Sequence, residues 1–136
     1  MDVNHRKLLN SLNNLKLAVT RLEEALSEDA TNPLIVDGTI QRFEFTIELF
    51  WKTLKRALQS EGIETKTPKE ALKEAYQAGW LNDESAWLQM LKDRNETSHT
   101  YNEELAREIL AHIHQYFPEM KRVSEFVLNK YQEGSS

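Results

Sequence analysis

Apolar residues that recur every three or four positions are the feature of this sequence that most limits its fold. A β-strand buries every second residue, whereas spacings of three and four place residues along one side of an α-helix. The first segment alternates these spacings: Leu8, Leu12, Leu15, Val19, Leu22 and Leu26. The sequence from Val3 to Leu26 is therefore predicted to form an amphipathic helix.

The same spacing, together with capping residues, predicts four further helices. A side-chain oxygen before a helix, a proline at its first position and a glycine after its end are the usual boundary signals. The predicted starts are Asn32 with Pro33, the capping box from Thr67 to Glu70, Asn82 or Asp83, and Asn102. The second helix is expected to bury either Phe50 or Trp51, and Pro118 is expected to kink or interrupt the last one.

These elements predict one all-α domain, an antiparallel up-and-down bundle of about five helices over residues 1–132, with 133–136 as a disordered tail. Only four glycines and three prolines occur in 136 residues, too few for a turn-rich β fold. The aromatic residues crowded into "RFEFTIELFW", Arg42 to Trp51, exceed what a single-chain core of this size needs. A symmetric dimer would bury the surplus.

Composition also restricts the functional classes. Cysteine is absent, which fits a reducing cytoplasm, and no apolar run suggests a signal peptide or a membrane span. The net charge of −5 argues against nucleic-acid binding through bulk charge, so RNA binding would need a local basic surface. Lys52, Lys55 and Arg56 could supply one on a single helix, although a solvated helix face explains them equally well.

The sequence gives little support for a metal site or for nucleophilic catalysis. Glu96 and His99 have the Glu-x-x-His spacing of di-iron bundles, but such a site needs the motif twice, and it occurs once. His112 and His114 are expected on the surface, and His5 lies near a terminus. Ser98 has no strained elbow around it, and no glycine-rich phosphate loop is present. No metal or cofactor is expected.

Arg94 and His99 form the cluster with the clearest chemistry. A guanidinium matches a phosphate, and an imidazole exchanges protons near neutral pH, so the pair could cleave a phosphodiester. On a continuous helix five residues put the two side chains about 140° apart. Either the helix unwinds across Asn95, Thr97 and Ser98, or a two-fold axis gathers both residues from two copies. A solvated arginine and a helix-terminal histidine explain the same residues without catalysis.

Three stretches resemble the nucleotidyltransferase substrate-binding protein family of the HEPN superfamily. They are Gln41–Ile63, Thr67–Leu81 and Trp87–Ile109, and "DRN-x-x-SHTY" from Asp93 to Tyr101 is their most specific part. The resemblance implies a homodimeric helical bundle in which Arg94 and His99 line a shared cleft and cleave RNA without metal, leaving a 2′,3′-cyclic phosphate. Asn95 fits the polar residue that often follows the arginine.

The HepT-like branch of that family implies a means of control. Its Arg-x4-His-x-Tyr signature matches Arg94, His99 and Tyr101, and its members are toxins encoded beside a minimal nucleotidyltransferase antitoxin. The transferase would silence the toxin by attaching AMP to Tyr101, adding bulk and negative charge beside the cleft. The family's older name implies another role, a non-catalytic subunit that presents substrate to the transferase. A helical bundle that serves only assembly is the third hypothesis.

Overall fold

The computed structural model describes residues 3–99 and 102–134, and within them the chain forms five helices and no strand. The helices are α1 (Val3–Leu26), α2 (Pro33–Ser60), α3 (Pro68–Gln77), α4 (Glu84–His99) and α5 (Glu103–Gly134). The all-α class and the number of helices are confirmed. Helix α5 extends two residues past the predicted domain boundary at 132. No helix in the described ranges is long and apolar enough to cross a membrane.

The predicted caps hold the helix starts. The Asn32 side chain accepts from the Leu34 amide at 2.9 Å, and the Thr67 hydroxyl accepts from the Glu70 amide at 3.1 Å. Asn102 accepts from Leu105 at 2.7 Å at the start of α5. Each bond satisfies an amide that the first helical turn leaves without a partner.

Contacts between the helices define their directions. Arg42 of α2 donates to the Arg21 carbonyl of α1 at 2.7 Å, and the other end of α2 lies beside the start of α1. The two helices are therefore antiparallel. Helices α2 and α5 run parallel, because Phe43 stacks on Tyr116 and the Tyr131 hydroxyl reaches the Ala57 carbonyl at 3.3 Å. The short α3 bridges α2 and α4.

The core lies where α1, α2, α4 and α5 meet. Phe50 is fully buried and meets Trp87 edge to face, with ring centroids 4.8 Å apart, whereas Trp51 is half-buried at the edge. Of the crowded aromatic residues, Phe43 and Phe50 enter this core, but Phe45 is 61% exposed. Part of the aromatic surplus predicted from the sequence therefore lies on the surface.

Of the kink or interruption predicted at Pro118, the interruption is wrong, because α5 continues through this residue without a break. Proline removes the hydrogen bond to the carbonyl four residues earlier, here that of His114. Both Pro118 and His114 are exposed, so water can satisfy that carbonyl. Buried Tyr116 and Met120 on either side hold the helix to the core.

Unwinding of α4, one of the two arrangements considered for Arg94 and His99, is also absent, since the helix continues through Asn95, Thr97 and Ser98 to His99. Polar contacts described below tie Arg94 and Thr97 to α2. These contacts compensate for the modest helix propensities of the segment.

Candidate functional site

Arg94 lies between α4 and α2, where it meets a carboxylate. Its Nε is 2.9 Å from Oε1 of Glu48, and both side chains are about one-third exposed. The contact is an ion pair between the guanidinium and the carboxylate. The guanidinium is thus held at the mouth of the α2–α4 interface.

Glu48 is itself held in place. Its Oε2 accepts from Nε1 of Trp51 at 3.3 Å and lies 3.8 Å from Nζ of Lys52. Donors therefore approach both carboxylate oxygens, and the residue that orients Arg94 has little freedom to rotate. The same contacts bring Lys52 into the neighbourhood of Arg94.

A second contact lies one turn further along α4. The Thr97 hydroxyl is 2.9 Å from Oε2 of Glu44 and 3.0 Å from the Arg94 carbonyl. Glu44 and Glu48 are one turn apart on α2, and they pair with Thr97 and Arg94 in reverse order. Helices α2 and α4 are therefore antiparallel, joined by a two-step polar ladder made of these four residues.

The other side of α4 is fixed by Asp93, which is only 1% exposed. Its Oδ2 accepts from the Tyr116 hydroxyl at 2.5 Å and lies 3.0 Å from Nδ1 of His112, while Gln89 donates to Oδ1 at 3.0 Å. A buried carboxylate needs such donors to offset its lost hydration. Asp93 consequently anchors α4 to α5.

The environment of Tyr116 keeps its hydroxyl protonated. Burial raises the pKa of Tyr116 far above its ordinary value, and the hydrogen bond and negative charge of Asp93 raise it further. Tyr116 is therefore a permanent donor to Asp93 throughout the ordinary pH range. His112 is one-third exposed and pairs with Asp93, so it lies only partly on the surface, whereas His114 is exposed as expected.

Sequence reasoning missed the contacts of Asp93, Glu44 and Glu48. Two signals could have found part of them. An aspartate directly before the motif arginine must lie about 100° around α4 from it, and His112 and Tyr116 share one face of α5 at i, i+4. The pairing of Glu44 and Glu48 with α4 depends on the register between two helices, which spacing along one helix does not contain.

The remaining predicted site residues are distributed unevenly. Asn95 is exposed on α4. The side chain of His99 and the whole of Tyr101 lie outside the described residues, so their predicted roles remain predictions. Lys52 approaches Glu48, whereas Arg56 lines a hollow with Asn4 and His5 on the side of α1. The basic surface predicted from Lys52, Lys55 and Arg56 remains a prediction.

A hollow of about 310 Å³ adjoins the ladder. Gln41 and Glu44 of α2 line it together with Thr97 of α4 and Asn102 before α5. Thr97, inside the motif, and Asn102, directly after it, thus line one polar depression beside α2. A group of three side chains suited to a metal ion is absent from the described part of the chain.

The fold and this cluster define a class of protein: an all-α bundle whose fourth helix carries an arginine paired with α2 and, next to it, an aspartate anchored to α5. Comparison with known proteins is consistent with that class. Residues 10–129 match the family model described as nucleotidyltransferase substrate binding protein like. The match covers most of the chain, and this protein belongs to that family.

Individual relatives agree. The chain is 36% identical over 104 residues to the probable ribonuclease HepT of Haemophilus influenzae, covering 73% of this chain and 68% of that protein. A crystal structure of a protein from Thermus thermophilus superposes with a TM-score of 0.72 at 38% identity, covering 86% and 98% of the two chains.

The second solved structure is HI0074 of Haemophilus influenzae, described as the fold of a substrate binding domain of a nucleotidyltransferase. It gives a TM-score of 0.74 at 32% identity and covers 84% of this chain and 96% of that one. The resemblance recognised in the sequence is confirmed at the level of family and fold.

Proposed function

We propose that this protein is a homodimeric ribonuclease toxin that cleaves RNA without a metal ion. One observation carries the proposal: Arg94, the first residue of the motif, is held by Glu48 at the mouth of a helix interface rather than left as a mobile surface cation. The likeness to a relative named as a probable ribonuclease supports it.

The reaction assigns one role to each residue. The His99 imidazole removes the proton of a ribose 2′-hydroxyl, and the 2′-oxygen attacks the adjacent phosphorus. The bond from phosphorus to the 5′-oxygen breaks, and a protonated imidazole returns a proton to that leaving oxygen. The products are a 2′,3′-cyclic phosphate and a 5′-hydroxyl. Arg94 stabilises the negative charge that builds on the phosphoryl oxygens.

The continuity of α4 favours a site shared by two copies. Because the helix does not unwind, positions 94 and 99 lie about 140° apart around its axis. A two-fold partner would supply the missing half. Lys52 near Arg94 would attract the RNA, with Asn95 as a further polar contact and Lys55 and Arg56 further along α2.

The activity is tested with purified protein and a labelled RNA in EDTA. Wild type should cleave, and His99→Ala and Arg94→Ala should each lower the rate by about 10²- to 10⁴-fold. His114→Ala is the matched control, because it removes an exposed histidine of α5 and should cleave normally. Equal cleavage by wild type and His99→Ala would identify a contaminating nuclease and overturn the proposal.

Control by a cognate minimal nucleotidyltransferase is the second part of the proposal. The Tyr101 phenol oxygen attacks the α-phosphorus of ATP, pyrophosphate leaves, and the phenol proton passes to solvent or a base. Co-expression with the transferase should add the mass of one AMP to the tryptic peptide that contains Tyr101. Tyr101→Phe should stay unmodified and remain toxic. An unmodified wild-type chain would remove this regulation and leave the nuclease proposal standing.

A non-catalytic substrate-binding subunit is the alternative, and the description of HI0074 favours it. Arg94 and His99 would then contact a nucleotide or dock the transferase. Expression of the chain alone separates the hypotheses, since a ribonuclease should stop growth and a binding subunit should not. If Arg94→Ala changed neither growth nor ligand binding, the bundle would serve assembly alone.

A further inference from the structure

Helix α2 is apolar on two opposite sides. One side faces the core through Phe43, Ile47 and Phe50. The outward side exposes Leu34 at 78% and Phe45 at 61%. A helix at the surface of a monomer normally carries polar residues on its outward side, so this side is unusual for a chain that acts alone.

The outward side also contains an open position. Gly38 lies in the interior of α2, and a Cβ placed on it would meet nothing within 4 Å. Glycine weakens a helix relative to alanine, and no neighbour within the chain requires it here. Gly38 lines a groove of about 640 Å³ between α1 and α2, together with Leu17, Phe45 and Leu49.

The exposed ring and the open position are spaced for each other. Phe45 follows Gly38 by seven residues, so both lie on one side of α2 about two turns apart. A two-fold axis level with Gln41 and Arg42 would seat each Phe45 over Gly38 of the partner subunit. The same axis would place Leu34 opposite Leu49 of the partner subunit.

We infer that the outward side of α2 packs antiparallel against the same helix of a second copy, with Phe45 entering the space above Gly38. The inference rests on the proposed homodimeric ribonuclease and specifies its interface and register. The contact is isologous, since each copy contributes the same ring and the same depression.

Charge supports a second copy as the occupant. The segment before α2 is acidic at Glu28 and Asp29, and the far half of α2 is basic at Lys52 and Lys55. An antiparallel arrangement places the acidic end of each copy toward the basic end of the other. Complementary charge at a rim favours this register over a parallel one.

This arrangement also completes the candidate site. Along the ladder, Arg94 pairs with Glu48 and Thr97 with Glu44, so the C-terminal part of α4 runs along α2 in the direction of Gln41. Gln41 shares a hollow with Thr97 of the motif and with Asn102, which directly follows the motif. The hollows of the two copies therefore flank the axis, and each Glu48–Arg94 contact lies about 10 Å from it along α2.

Two opposite substitutions and their combination test the packing. Phe45→Ala removes the ring, and Gly38→Leu extends a side chain into the depression from a position where its Cβ meets no atom within 4 Å. Light scattering should give about twice the 15.9 kDa chain mass for wild type and the single mass for each variant. The double variant exchanges ring and depression and should regain part of the dimer. A monomeric wild type, or dimers unaffected by either substitution, would overturn the inference.

The absence of cysteine allows a test of the register. Gln41→Cys should form a disulfide with itself under mild oxidation, because the residue lies at the axis. Leu34→Cys and Leu49→Cys should cross-link when mixed and far less when each is alone. Lys73→Cys, on the exposed side of α3, is the control that should stay uncoupled.

Failures of the two proposals are distinguishable. A cross-linked dimer that does not cut RNA would keep the interface and remove the nuclease. Cleavage by a monomer would keep the nuclease and remove the interface. If the chain alone were monomeric and Phe45→Ala instead abolished binding of the nucleotidyltransferase, the surface would belong to that partner and the inference would fall.

Discussion

At the scale of single residues, polar contacts rather than apolar packing hold Arg94 in its position. Asp93 and Arg94 are neighbours in sequence, yet one is buried against α5 and the other is tied to α2. The sequence identified Arg94 as a candidate because of its motif. The sequence alone could not identify Glu48 as the partner of Arg94, because the pairing depends on the register between α2 and α4.

The hydroxyl of Tyr116 should carry a measurable part of the stability. Tyr116→Phe removes a donor from a buried carboxylate, and a hydrogen bond to a charged group contributes about 1.5–3 kcal/mol. We expect the free energy of unfolding, measured by urea titration, to fall by about that amount. Tyr76→Phe on α3 is the control, since this tyrosine is exposed and the change should be small. Equal effects of both substitutions would contradict the role given to Asp93.

At the scale of elements, the sequence predicted the helices well because their signals are local. Asn32, Thr67 and Asn102 cap where their side-chain chemistry indicated, and the spacing of the leucines gave the buried side of α1. The interruption predicted at Pro118 is absent. A proline on the exposed side of a helix need not end it when residues before and after the proline pack against the core. The interruption was inferred from a local rule that tertiary packing overrides.

A carboxylate of α5 ties the segment before α4 to the bundle. Glu119 accepts from the Asn82 amide at 2.8 Å, from Trp87 Nε1 at 3.1 Å and from Arg122 at 2.9 Å. Burial by itself would raise the pKa of Glu119, but these hydrogen bonds outweigh it, and the pKa lies below its ordinary value. The start of α4 therefore depends on an ionised side chain.

This dependence predicts the response to acid. A carboxyl group with a lowered pKa in the folded state stabilises the fold above its unfolded pKa, and that stability is lost as the pH falls through the folded value. We expect the melting temperature to decrease as the pH is lowered below about 4.5, the ordinary pKa of glutamate. Glu119→Gln should melt lower than wild type at pH 7, and the difference should narrow at pH 3. An unchanged difference would assign its effect to packing rather than charge.

At the scale of the whole molecule, the amphipathic helices were sufficient to predict an all-α bundle, but not its surfaces. The sequence indicated an aromatic surplus in α2, and the structure identifies Phe45 as its exposed member. The sequence alone does not distinguish Gly38 as a surface feature, because a lone glycine within a helical pattern has several explanations. The empty space above Gly38 is visible only in the three-dimensional structure.

The neighbouring positions of Asp93 and Arg94 make the length of α4 critical. An insertion or deletion of one residue between Trp87 and Asp93 would rotate the following residues of α4 by about 100° relative to the Trp87 indole, which packs in the core. A guanidinium or another unsuitable group would then turn toward the hydroxyl of Tyr116, where an anion belongs. Natural variation in chain length should therefore accumulate before α4 or in the exposed loops, and the interval from the tryptophan to the motif should stay constant.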